Sequence, residues 1–128
     1  SNNVDELIAN YDVVVDGCDN YETRYAISDA CMKYRKPYIY AAIAGFEGQV
    51  SVLCAGETPK SYRDLFPDNS SEPKKSSDSI AVLGTTPAVV GSVQTNETIK
   101  LIAGFGEPLI GKLWTVDLRN LQTYIFSL

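Results

Sequence analysis

A strand, a helix and a second strand follow one another within about 35 residues, and this succession constrains the fold more than any other feature of the chain. Tyr11–Asp16 is a short run of β-branched residues with polar ends, which reads as a strand buried on both faces in a parallel sheet. Gly17 breaks it, and Asp19-Asn20 offers a helix N-cap. From Tyr21 to about Arg35, Ile27, Ala30, Cys31 and Tyr34 recur at i, i+3, i+4 and i+7, the apolar stripe of an amphipathic helix. Lys33, Arg35 and Lys36 gather at its C-terminal end, where cations suit the helix dipole, and Pro37 stops it. Tyr38–Ala44 is the second apolar strand. The three together predict a βαβ unit with a right-handed crossover.

The link to the next strand, Gln49–Cys54, is the turn Gly45-Phe-Glu-Gly48. It is too short for a crossover, so this strand is expected to run antiparallel to its predecessor. Glu57–Ser79 then changes character, with three prolines, six serines and the pair Lys74-Lys75. Tyr62, Leu65 and Phe66 are its only apolar anchors, so it reads as a long loop, either functional or disordered. Thr86 as N-cap and Pro87 at the first helical position predict a helix to about Ala103, with Gly104 as its C′ residue. Gly91, Thr95, Thr98 and Ile102 share one stripe of it, while Gln94 and Glu97 fall beside Val90, Val93 and Leu101. Such a mixed face suggests close packing against another element or subunit. Lys112–Asp117 and Gln122–Ser127 form a terminal hairpin turning around Arg119-Asn120.

Composition sets limits on the chemistry. The 128 residues suffice for one domain with a single core. Apolar residues make up 45% and charged residues 21%, the balance of a folded soluble protein. No apolar run approaches the roughly 20 residues that span a bilayer, and no secretory signal opens the chain; no membrane role is expected. A net charge of −5 without a basic cluster argues against nucleic-acid binding. The absence of histidine removes Ser-His and Cys-His nucleophiles and His-ligated zinc. Cys18, Cys31 and Cys54 are odd in number and lack C-x-x-C spacing, so a reducing cytoplasm fits, and all three read as small buried apolar residues.

In an open α/β sheet, ligands bind beyond the carboxyl ends of the parallel strands. Asp19 leaves the first strand at that edge, beside a helix N-terminus. A carboxylate there can hold Mg²⁺ on nucleotide phosphates; the competing reading is that Asp19 or Asn20 only caps the helix. A phosphate cradle is missing. No G-x-x-x-x-G-K-[ST] occurs, and Gly104-Phe-Gly106 has Leu109 where a third glycine would stand. A half-fold with a metal-type aspartate and no phosphate loop suggests part of a larger nucleotide-binding unit.

Four segments, Asp16–Arg24, Gly45–Ser51, Tyr62–Pro67 and Gly91–Lys100, stand in an order and at intervals that resemble the ThiF/MoeB/HesA family, relatives of the ubiquitin-activating enzymes. The resemblance runs from Tyr11 to Leu128 and is strongest to the ThiF branch. It implies that residues 1–128 are a single partial domain, the C-terminal half of a Rossmann-like adenylation fold, with residues 57–79 as the crossover loop. It implies an enzyme using ATP and Mg²⁺ to adenylate the C-terminal glycine of a ubiquitin-like sulfur carrier for thiamine or molybdopterin synthesis. A homodimer is also implied. The glycine-rich nucleotide loop and the phosphate-gripping cations of the family's N-terminal half have no counterpart in these residues, so the chain alone is expected to be inactive.

By the same resemblance Asp19 is the Mg²⁺/ATP aspartate and the catalytic residue, and Asn20 and Arg24 belong to the nucleotide-binding motif, mainly as capping and positioning residues. For Arg24 the competing reading is a solvated helix cation. Phe46–Ser51 resembles the strand beside the carrier-tail channel, and equally an ordinary core strand. Two departures stand out. Where many members carry the first of two zinc-binding C-x-x-C pairs, this chain has Ser61 and Asp64, and no second pair follows, so no zinc is expected. The reactive cysteine of the thiamine branch falls near Ser77, whose hydroxyl cannot form a persulfide. These changes leave a second reading open, a non-catalytic binding or dimerisation subunit of the same family.

Overall fold

Tyr38–Ala44 is the strand around which the molecule is built. The computed structural model describes residues 3–67 and 84–128. Its elements are α1 (Asn3–Ala9), β1 (Val14–Val15), α2 (Tyr21–Tyr34), β2 (Tyr38–Ala44), β3 (Glu47–Leu53), α3 (Tyr62–Leu65), α4 (Thr85–Ala103), β4 (Lys112–Asp117) and β5 (Gln122–Ser127). The strands form one mixed sheet in the order β1-β2-β3-β4-β5. β1 and β2 are parallel, and every later pair is antiparallel. The βαβ unit, the antiparallel third strand and the closing hairpin are thus all present.

Alternation along β2 divides the core in two, because successive side chains leave a strand on opposite faces. Tyr38 and Tyr40 join Tyr25, Ala30, Cys31, Leu53, Cys54 and Tyr62 beneath α1, α2 and α3. Ile39 and Ala41 pack on the other face with Val50, Val52, Val90, Leu109 and Val116, beneath α4. Gly48 of β3 lies directly under α4. A Cβ there would run into the Cγ2 of Val90, so the missing side chain sets how closely the helix approaches the sheet.

The first strand differs from expectation. Only Val14–Val15 is regular, and Val15 is 50% exposed. β1 is the edge of this sheet, so it has one neighbour and little cover; the strand buried on both faces is β2. α1 was not foreseen. A seven-residue helix is marginal by itself, and this one is held by Ile8 and Val4 packing into the α2 side of the core. α2 ends as expected before Pro37, with Arg35 in the left-handed conformation and its N–H on the Cys31 carbonyl.

The start of α4 also needs correction. Its N-cap is Gly84, without a side-chain bond, and Pro87 lies third in the helix rather than first. Thr86 does not cap. It is fully buried, and its hydroxyl donates to the Gly45 carbonyl at 2.8 Å, fastening the helix to the β2–β3 turn. The far end behaves as expected, with Gly104 in the left-handed conformation and its N–H on the Lys100 carbonyl.

The mixed face of α4 packs, as expected, against another element: the sheet of this molecule, where Gln94 reaches the carbonyls of Asp16 and Ile39. Gln94 and Glu97 are buried within this molecule. Glu97 accepts from Leu109 N–H at 3.0 Å and from Lys100 Nζ at 2.7 Å, which ties the loop after α4 back to the helix. The small-residue stripe is on the outer side, where Thr95 and Ile102 are exposed.

Candidate nucleotide-binding edge

The segment leaving β1 is organised around a carboxylate, Asp16, whose role local sequence does not reveal. Asp16 has a fully buried side chain. Its Oδ1 accepts from the Cys18 N–H at 2.8 Å, and its Oδ2 from Arg24 Nε at 3.1 Å and from the Ala41 N–H at 3.4 Å. A buried carboxylate needs this degree of pairing, because an unpaired charge would cost several kcal/mol. The signal in the sequence is a strand-end Asp two residues before a turn residue and eight before an Arg. That spacing permits an Asx turn closed by a helix cation, though it cannot specify one.

Arg24 is accordingly not a solvated cation. Its Nη2 donates to the Cys18 carbonyl at 2.9 Å and to the Ala41 carbonyl at 3.2 Å, so the guanidinium joins the loop, α2 and β2. Its carbon Cζ stands 5.7 Å from the Tyr40 ring centre. Burial works against the charged form, but the Asp16 charge and the surrounding tyrosines outweigh it and hold the Arg24 pKa above its ordinary value. From the other side of the sheet, Gln94 Nε2 donates to the carbonyls of Asp16 and Ile39, both at 3.0 Å. The loop is therefore held from α2, β2 and α4.

Asn20, not Asp19, is the N-cap of α2. Its side-chain oxygen accepts from the Thr23 N–H at 2.9 Å, and its backbone is extended as a cap requires. Asp19 is exposed, and the bond found for its carboxylate is a 3.2 Å contact from Asn20 Nδ2. Among the described residues its acceptor capacity is otherwise unused, next to the positive end of a helix dipole. Cys18 is half-buried rather than buried, unlike Cys31 and Cys54. Burial, followed by the charge of Asp16, pushes its thiol up to about 11.

Ser61 and Asp64 are engaged with each other. They form a capping box for α3: the Ser61 N–H donates to Asp64 Oδ2 at 2.7 Å, and the Asp64 N–H donates to Ser61 Oγ at 3.3 Å. The Ser61 N–H holds the Asp64 carboxyl below the usual carboxylate range. The same short helix anchors the start of the long loop. Tyr62 is fully buried against Tyr25, Tyr40 and Phe66, and its N–H donates to Ser28 Oγ at 2.8 Å. Leu65 and Phe66 pack beside it. Ser77 lies outside the described residues.

Among the described residues no group of three His, Cys, Asp or Glu could hold a metal ion by itself. An ion at this edge would need oxygens from a ligand beside the one from Asp19. That donor set fits Mg²⁺, which prefers one or two carboxylates with phosphates and water to an all-protein cage. Phe46–Ser51 supplies most of β3, and its Val50 and Ser51 are buried in the sheet. Among the described residues, no helix is long and apolar enough to cross a membrane.

Comparison with known proteins places the chain in a family. The chain is 41% identical over 124 residues to a sulfur carrier protein adenylyltransferase of Thermus thermophilus, covering 91% of this chain and 45% of that protein. It is 44% identical over 124 residues to the probable adenylyltransferase/sulfurtransferase MoeZ of Mycobacterium tuberculosis, covering 91% and 31%. Against the probable molybdopterin-synthase adenylyltransferase of Porphyra purpurea, identity is 42% over 111 residues, covering 85% and 29%. The chain thus spans less than half the length of these relatives. Similar folds occur in PaaA, with a TM-score of 0.70 at 12% identity over 98% of this chain and 45% of that one. Escherichia coli MccB solved with ATP gives 0.68 at 17%, over 91% and 36%. The ThiF family model matches residues 1–128 from end to end, and the chain belongs to the ThiF family.

Proposed function

We propose that residues 1–128 are the C-terminal part of the adenylation domain of an ATP-dependent adenylyltransferase. Its substrate is the C-terminal glycine of a ubiquitin-like sulfur-carrier protein, activated for thiamine or molybdopterin biosynthesis. Relatives named sulfur carrier and molybdopterin-synthase adenylyltransferases support this reading. The observation that carries it is the division of labour between neighbours. Asn20 satisfies the helix terminus, which leaves the exposed Asp19 carboxylate available to a ligand.

In this reaction a carboxylate oxygen of the carrier bonds to the α-phosphorus of ATP, and pyrophosphate leaves. Both reactants are anions, so the barrier is electrostatic and orientational, and no histidine base is required because the nucleophile is already ionised. Mg²⁺ bound with the nucleotide neutralises phosphate charge. Asp19 holds that ion–nucleotide unit at the sheet edge, Asn20 fixes the start of α2, and Arg24 supports the loop from beneath. The reading includes a cytoplasmic homodimer, and no zinc, since Ser61 and Asp64 are spent on capping α3.

The test is ATP–pyrophosphate exchange by the full-length parent with a carrier ending in Gly-Gly. Asp19→Ala is expected to lower exchange by about 10²–10³-fold with an unchanged thermal midpoint. Unchanged exchange would remove Asp19 from the mechanism, whereas carrier binding by a parent that shows no exchange at all would favour a non-catalytic binding or dimerisation subunit, a reading supported by Ser61 and Asp64 standing at the family's cysteine positions. Residues 1–128 alone are expected to show no exchange, and exchange by them would refute the partial-domain reading.

A further inference from the structure

We infer that Asp16 and Arg24 are positioning residues for Asp19: a buried ion pair that sets the direction in which the Asp19 carboxylate meets the metal–nucleotide unit. The inference deepens the proposed function and rests on its reading of Asp19. Cys18 precedes Asp19, and both polar groups of its backbone are claimed by the pair. Its N–H donates to Asp16 Oδ1 at 2.8 Å, and its carbonyl accepts from Arg24 Nη2 at 2.9 Å. That carbonyl belongs to the peptide unit joining Cys18 to Asp19, and a peptide is planar. Arg24 therefore fixes the plane on which the Asp19 backbone starts.

On the other side of Asp19, Asn20 is fixed as the cap of α2, and Arg24 stands one turn further along the same helix. Asp19 is bracketed by two immobilised neighbours, and both are referred to one helix. The supports behind the pair are themselves tied down. Arg24 Nη2 also reaches the Ala41 carbonyl, the Ala41 N–H reaches Asp16, and Gln94 holds the Asp16 carbonyl.

Stability alone is a poor account of this arrangement. A buried ion pair contributes little net stability compared with an apolar pair of similar volume, because desolvation consumes the Coulombic gain. What it supplies is direction: several charge-assisted bonds converge on one turn and leave it little freedom. A charged ligand held by a single exposed carboxylate depends on that direction, since an error of about 1 Å in placement can cost 10²-fold in rate.

The experiment uses the full-length parent enzyme. Asp16→Asn, Arg24→Lys and Asp19→Asn are made singly, and each of the first two is combined with Asp19→Asn. Affinity for ATP is measured by calorimetry with Mg²⁺ and with EDTA, beside carrier affinity and the thermal midpoint. Asp16→Asn and Arg24→Lys are each expected to weaken Mg²⁺-dependent ATP binding by about 10- to 100-fold, leaving ATP binding in EDTA and carrier binding unchanged. In the Asp19→Asn background neither should weaken it further, because their effect passes through Asp19.

An equal loss in both backgrounds, or an equal loss in EDTA, would overturn the inference and leave a merely structural pair. Unaltered Mg²⁺–ATP affinity in both single variants would overturn it too, while the weakened Asp19→Asn kept the function reading intact. If Asp19→Asn itself bound Mg²⁺–ATP like the parent, the function reading would fail first and take this inference with it. Should Asp16→Asn not fold, Arg24→Lys decides the matter, since it keeps a cation beside Asp16 while removing the planar fork that orients the Cys18 carbonyl.

Discussion

The loop from Asp16 to Arg24 and the hairpin of β4 and β5 are held in opposite ways. In the loop, buried polar groups from three elements converge on a few backbone atoms. In the hairpin, β5 pairs with β4 along its whole length, yet every β5 residue is exposed, including Tyr124, Ile125 and Phe126. Among the described residues nothing buries that edge. The loop is thus over-determined by side chains that cannot be replaced singly without orphaning a partner. The hairpin is determined by backbone pairing and tolerates exchange of its side chains. Fixed geometry is concentrated at the edge assigned to the nucleotide; at the opposite end of the sheet Tyr124, Ile125 and Phe126 form a run of uncovered apolar side chains.

The comparison can be broken most directly at Arg24. Arg24→Met keeps the stem but strands the Asp16 carboxylate in the core, and is expected to cost about 3–5 kcal/mol in urea denaturation. A cost below 1 kcal/mol would mean that the pair is not the keystone of the loop. Cys18 tests the same region without disturbing it. With its thiol pushed up to about 11, alkylation at pH 8 should run about a hundredfold slower than that of a free cysteine and rise steeply as pH approaches that value. Rapid alkylation at neutral pH would show a looser, more hydrated turn.

Gln94→Leu sharpens the contribution of α4. It removes a donor shared by two buried carbonyls and is expected to cost about 1–3 kcal/mol, read as a lowered denaturation midpoint. The smallest effect belongs to the hairpin. Ile125→Thr keeps a β-branched residue at an exposed position and should change stability by no more than about 0.5 kcal/mol, while sedimentation velocity shows less self-association than in the unaltered chain. A loss above 1 kcal/mol would reveal hidden packing on β5 and erase the contrast.

Much of the architecture was legible because it rests on local periodicity. β2 and the end of α4 at Ala103 fall on the residues expected, and α2 ends within one residue of its expected limit. Asp19 and Asn20 could be singled out because they follow a strand and open a helix, and Arg24 because it belongs to the motif that carries the family resemblance. The roles of Asp16 and Gln94 were not legible. The Gln94 bonds span 78 and 55 residues, beyond any pattern that periodicity can detect. Thr86 misled for a similar reason: a hydroxyl before a proline is the usual sign of a cap, but its partner, Gly45, is 41 residues away.

By itself, the amino-acid order determined helices α2 and α4 and strands β2 to β5, how the strands alternate, and which carboxylate stands beside a helix terminus, because these depend on neighbours a few residues apart. Tertiary structure alone decided that β2 rather than β1 is the buried strand, and that Asp16 sits under the loop as its ionic anchor. Both outcomes depend on segments distant in sequence, the flanking strands for β2 and the Ala41 N–H for Asp16, and they are settled only when the helices close over the sheet.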